Sequence, residues 1–281
     1  MNVFSFLFRI FLCGVICLTS ASCYNALSGT TSTTTDPALY EDGIKALNNL
    51  DFDTAIAKFE SIGVDYASQT EVKMNYAGAL AGKCGFNFIN YFTKLGTAPS
   101  GSTFLFFMNQ WKTTTTSANA MFYSTKRQYC VQAETVVKSI HPSVSGRDAS
   151  QSLFLFLLGL AKIGIYLKET ADPTGTGTGQ WTVGSLTDGA CSETNLPKTA
   201  VKEIAAGLGM AFLNLTNIAS VLSGANIDTS AVTAACSAIT PNPCSFENSS
   251  EVSDLAVIGV RTILNQSATG VVNGVFVCTT P

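Results

Sequence analysis

Few residues in this chain are of a type and spacing that do chemistry. His141 is the only imidazole, and it precedes Pro142 at the expected end of a helix, where a histidine meets the negative end of the helix dipole. The run Thr174 to Gln180, "TGTGTGQ", has the glycine rhythm of a phosphate-binding loop. It lacks a following GK[ST], and no apolar strand precedes it to aim the loop, so it reads as a surface loop. The carboxylates Glu41/Asp42 and Asp51/Asp53 have the composition of an acid–base pair. Their place beside a helix boundary explains them better, with Asp51 or Asp53 as a cap and the first two facing solvent. Trp111 and Trp181 sit in polar or glycine-rich surroundings, where each ring either packs locally or meets a partner. No metal-ligand spacing occurs, no cofactor is expected, and the chain reads as non-enzymatic.

Cysteines carry the clearest signal. Cys84, Cys130, Cys191, Cys236, Cys244 and Cys278 form an even set in the body of the chain, as suits disulfides in an oxidising compartment. Sequence alone does not choose among their pairings, except that "CSAITPNPC" encloses two prolines in a short loop and joins Cys236 to Cys244. A seventh cysteine, Cys23, follows a different pattern. Arg9 precedes the apolar run Ile10 to Leu18, and Thr19-Ser20-Ala21-Ser22 then leads into Cys23. Residues 1–22 read as a secretory signal. The small residues ending at a cysteine resemble a bacterial lipobox, although Ser20 stands where leucine is usual; ordinary cleavage after Ser22 is the alternative. The resemblance implies that Cys23 is lipidated, and parity agrees, because an unlipidated Cys23 would leave an odd thiol. Residues 23–36, "CYNALSGTTSTTTD", then form a polar tether. Tyr24 after the lipid site, by resemblance to enterobacterial sorting, implies the outer membrane, facing the periplasm.

The 281 residues allow one large domain, here taken as 37–281. Only 12% are charged, about half the ~25% usual in soluble domains. Threonine, serine and asparagine must therefore supply much of the polar surface. The net charge is −3 and no Lys/Arg cluster exists, which argues against a nucleic-acid partner.

The elements are helices. After Asp36-Pro37, which suits a cap and first turn, Leu39, Gly43, Ala46, Leu47 and Leu50 recur at helical spacing. Asp51-Phe52-Asp53 breaks the run, and Ala55, Ile56, Phe59 and Ile62 form a second stripe. This hairpin resembles a tetratricopeptide (TPR) motif: Leu39 and Gly43 stand at the large and small positions of its first helix, Ala55 and Phe59 at the small and aromatic positions of its second. Asp42, Lys45 and Leu50 depart from the motif, Leu50 taking the place of the turn glycine. "MNYAGALAGKCG", residues 74–85, repeats the first-helix pattern, and Gly78 follows Gly43 by 35 residues, close to the TPR period of about 34. "FNFINYFTKLG" would be its partner helix. The resemblance implies an all-α fold of stacked antiparallel helical hairpins, a TPR-like superhelix with disulfide-stapled loops. It further implies a concave face lined by Tyr40, Ile44, Leu47, Asn75, Ala79 and Gly82, where a protein partner or extended peptide lies.

Further along, Phe122, Tyr129, Ala133, Val136 and Ile140 line one helix, and Val201, Ala205, Leu208, Phe212, Leu215, Ile218 and Leu222 another. "SLFLFLLGLAKIGIYL", residues 152–167, is apolar nearly all round, as for a helix at the centre of a bundle. It reaches about 24 Å, short of a ~30 Å hydrocarbon layer, and contains Lys162. Gly159, Gly209 and Gly259 stand 50 residues apart, which reads as coincidence rather than a repeat. Residues 270–278 suit a short strand or a tail tied back by Cys278. Two functions follow as expectations: a non-catalytic, membrane-anchored lipoprotein that binds a protein partner, or a ligand-binding accessory of a TRAP-type transporter, whose apolar pocket residues 152–167 would line.

Overall fold

The computed structural model describes residues 34–86, 90, 93, 103–111, 120–173, 181, 189–222, 234, 236–237, 239–265, 271 and 278–279. The signal, most of the tether, nearly all of "FNFINYFTKLG", the "TGTGTGQ" loop and most of the 270–278 segment lie outside the described residues.

Helix α1 (Asp36–Asn48) carries its proline in the first turn, as expected. Asp36 does not cap it: Thr35 holds that position, and the Asp36 carboxylate instead accepts the Gly63 N–H at 2.8 Å, tying the start of α1 to the end of the hairpin. Leu50 turns the chain with φ +60°, the left-handed conformation that favours glycine. Asp51 then caps α2 (Phe52–Glu60) by accepting the Thr54 N–H. A single turn, α3 (Val64–Ala67), leads into α4 (Thr70–Cys84), which Gly85 ends at φ +95°. Helix α2 packs against both α1 and α4. A small core of Ala46, Ala55, Phe59, Ile62, Val72 and Ala79 fills the space between them.

The larger core surrounds α7 (Ala149–Ala171), which Asp148 caps through the Gln151 N–H. Helices α5 (Thr103–Asn109), α6 (Ala120–Lys138) and α8 (Lys198–Leu222) pack on α7, and α9 (Asp254–Leu264) packs on α8. By length and composition α7 could cross a membrane, yet 89% of its apolar window is buried inside the protein, the position expected of a central bundle helix. Its crossing with α8 is close. A Cβ on Gly159 would lie 2.6 Å from the Gly207 carbonyl oxygen, so neither helix tolerates a side chain there. The described residues are all-helical, with short 3₁₀ turns and no strand.

Three disulfides close the frame. Cys236–Cys244 forms as the loop composition predicts. Cys84–Cys130 joins α4 to α6, which packs against α4. Cys191–Cys278 ties the C-terminal end to the 3₁₀ turn at Gly189–Cys191.

Candidate functional site

The carboxylates with acid–base composition do not converge. Glu41 is exposed, Asp42 pairs with Lys58 at 2.8 Å, Asp53 pairs with Lys83 at 2.5 Å, and Asp51 is the cap already described. His141 is exposed after α6, and its backbone carbonyl accepts from Arg147 Nε. Both tryptophans are buried. Trp111 stacks on Phe86, and Trp181 donates its indole N–H to the Thr170 carbonyl at 3.2 Å, so neither is a free contact surface. Among the described residues no group of three or more His, Cys, Asp or Glu could hold a metal ion.

The residues expected on a concave face divide. Tyr40, Ile44, Leu47 and Asn75 are half-buried along the seam between α1 and α4. The Tyr40 hydroxyl donates to Glu71 Oε1 and accepts from Asn75 Nδ2, each at 2.9 Å, while its ring packs between those of Phe59 and Tyr66. Burial and then the Glu71 carboxylate push that hydroxyl up to about 12, so it stays protonated at neutral pH. Asn75 also donates to the Glu71 carbonyl, which uses both amide hydrogens and fixes the side chain. Ala79 is elsewhere: it is fully buried in the small core and cannot meet a partner. The Phe52 ring occupies the space a side chain on Gly82 would need. Both depart from the expected face because α4 lies between α2 and α6 and is covered on two sides.

A second group of residues was not singled out from sequence. Lys162, inside the apolar run of α7, is 3% exposed and pairs with Glu134 of α6 at 2.9 Å and Glu203 of α8 at 2.6 Å. Lys138 joins Glu134 at 2.7 Å, one helical turn on. Burial alone would lower the Lys162 ammonium and raise the Glu134 carboxyl. The opposed charges outweigh it in both, holding Lys162 above and Glu134 below their ordinary values.

This network reaches a pocket of about 310 Å³ lined by Arg127, Tyr166, Glu169, Thr170, Pro197, Thr199, Ala200 and Glu203. Arg127 forks onto Glu169, donating to Oε2 at 2.6 Å, and also donates to the Tyr166 hydroxyl at 3.2 Å. Glu203 accepts from Ser249 at 2.7 Å as well as pairing with Lys162. Each lining carboxylate is thus engaged by a cation. The only sequence signal was Lys162 itself, a cation that an apolar helix must pair when it is buried.

Comparison with protein families, curated proteins and solved structures gives no match to this chain.

Proposed function

We propose that the chain is a non-catalytic scaffold, held by a lipid on Cys23 at the periplasmic face of a bacterial outer membrane, that binds an extended segment of a partner protein across α1 and α4. One observation carries this reading. Tyr40 and Asn75 stand 35 residues apart, the same separation as Gly43 and Gly78, and are directly hydrogen-bonded. Residues at equivalent positions of two TPR-like units would meet in this way along a shared face. With both Asn75 amide hydrogens committed to the protein, its Oδ1 is held as an acceptor for a main-chain N–H of an extended peptide, and Ile44 and Leu47 offer apolar contact beside it. Peptides selected from a random display library on the wild-type protein should bind Asn75→Ala about three- to tenfold more weakly, the worth of one hydrogen bond. Failure to select any peptide, or equal binding by the variant, would count against the face.

The second reading, a ligand-binding accessory lipoprotein of a TRAP-type transporter, draws support from the pocket beside α7. That pocket differs from the expected apolar one, because its lining is mainly polar.

A further inference from the structure

We infer that the pocket between α6, α7 and α8 binds a neutral, hydroxyl-rich small molecule of the monosaccharide class. Its volume of about 310 Å³ lies at the small end of ligand sites, which run from about 300 to 1,000 Å³. Charge balance selects the class. Of the lining charges, Arg127 pairs with Glu169, and Glu203 pairs with Lys162 behind the wall, where Lys162 and Lys138 share Glu134, so three cations balance three carboxylates in and behind the lining. A charged ligand would leave one charge uncompensated beside a network whose core is buried, a costly arrangement in a region of low dielectric. A neutral ligand leaves the balance intact.

The hydrogen-bonding groups that remain are of both kinds. The Tyr166 hydroxyl accepts from Arg127 and retains its own hydrogen to donate. Glu169 and Glu203, which line the pocket, each accept two contacts within the protein and retain further lone pairs. Thr199 adds a hydroxyl. Thr199 and Ala200 also bring the second and third N–H groups of α8, which have no carbonyl one turn back inside the helix, whereas the Glu193 carboxylate takes the first, on Lys198. Donors and acceptors lining one pocket match a molecule whose every hydroxyl both donates and accepts. The ion pairs hold them in place before the ligand arrives, so little ordering remains to be done on binding.

Saturation-transfer NMR on the full-length protein in detergent tests this. The probes are glucose, galactose, mannose and sorbitol, with maltose for a sugar at the end of a glycan, putrescine as a cation and inorganic phosphate as an anion. At least one neutral probe should give a saturable signal, while putrescine and phosphate give none. Maltose binding with no free hexose bound would place the source in a glycan end; the reverse would place it in free sugar. Thr199→Trp, at an exposed position on the rim, should fill the pocket without touching the ion pairs and weaken binding by about tenfold or more, with the circular dichroism unchanged. No saturable signal from any neutral probe would overturn the inference, as would preferential binding of putrescine or phosphate. Unaltered binding by a folded Thr199→Trp would overturn it too.

Discussion

Lys162→Met is expected to destabilise the protein by about 3–5 kcal/mol, the usual cost of removing one partner from a buried ion pair. The methionine fills most of the volume, so the loss comes from Glu134 and Glu203, which keep their negative charges after the shared ammonium is gone. Glu134, buried on α6, keeps Lys138 at 2.7 Å, whereas Glu203 loses its ion-pair partner. Urea denaturation at pH 7 measures it as a lower midpoint. The triple variant Lys162→Met, Glu134→Gln, Glu203→Gln should recover much of the loss, since Lys138, the cation this leaves without its carboxylate, is partly exposed and still donates to the Glu247 carbonyl and Asn248. If the triple variant is no more stable than the single one, charge is not the cause.

The same pair fixes a pH dependence. Glu134 has a folded-state pKa below its ordinary 4.5. A depressed carboxyl stabilises the folded state above its unfolded value, and that contribution is lost as pH falls through the lower folded value. Lys162, raised from its ordinary 10.5, contributes fully below that value and loses its contribution only as pH rises beyond it. Wild type should therefore lose stability on acidification below about pH 4.5, and its advantage over Lys162→Met should shrink there. An advantage that stays constant from pH 7 to pH 3 would contradict the pairing.

Replacing Cys191 and Cys278 together with alanine is expected to cost about 4–5 kcal/mol on a chain-entropy estimate. Their sequence separation of 87 makes this the longest loop of the three disulfides. What the bridge holds is specific. Asn265, at the end of α9, accepts the Ala190 N–H through its side-chain oxygen and donates to Cys191 Sγ, while Arg261 donates to the Ala190 carbonyl and pairs with Glu193. Glu193 in turn accepts the first N–H of α8. Loss of the bridge should loosen this chain of contacts and speed amide exchange in α9 and the first turn of α8. The Cys236→Ala, Cys244→Ala pair closes a separation of only 8 and should cost less. An equal loss from both variants would contradict a dependence on loop length.

The parts of the fold legible in the sequence are those whose partners are close in the chain. Gly43 opposite Phe59 is a small-against-large match within one hairpin: a Cβ on the glycine would lie 2.9 Å from the ring. Cys236 and Cys244 were assignable because two prolines shape the short loop between them. Cys84–Cys130 and Cys191–Cys278 were not, since spacing carries no information on which distant elements meet. The same limit explains Lys162. The sequence places one cation in an apolar helix, but its carboxylates sit on two other helices, and only packing brings them to it. Nor could the seam between α1 and α4 be separated from the covered sides of α4, because Asn75 and Ala79 occupy successive turns of the same helix. The evenly spaced glycines are not a repeat in space. Gly159 meets Gly207, Gly209 lies under the Phe246 carbonyl, and Gly259 faces Ile239.

The measurement that tests the scaffold most directly is photo-crosslinking in cells, with the crosslinker placed at position 40 or 44 on the α1 seam and at position 58 on α2 as the control. A discrete protein adduct from positions 40 and 44, absent from position 58, is the predicted result. No adduct, or equal labelling at all three positions, would contradict a partner-binding face on α1 and α4.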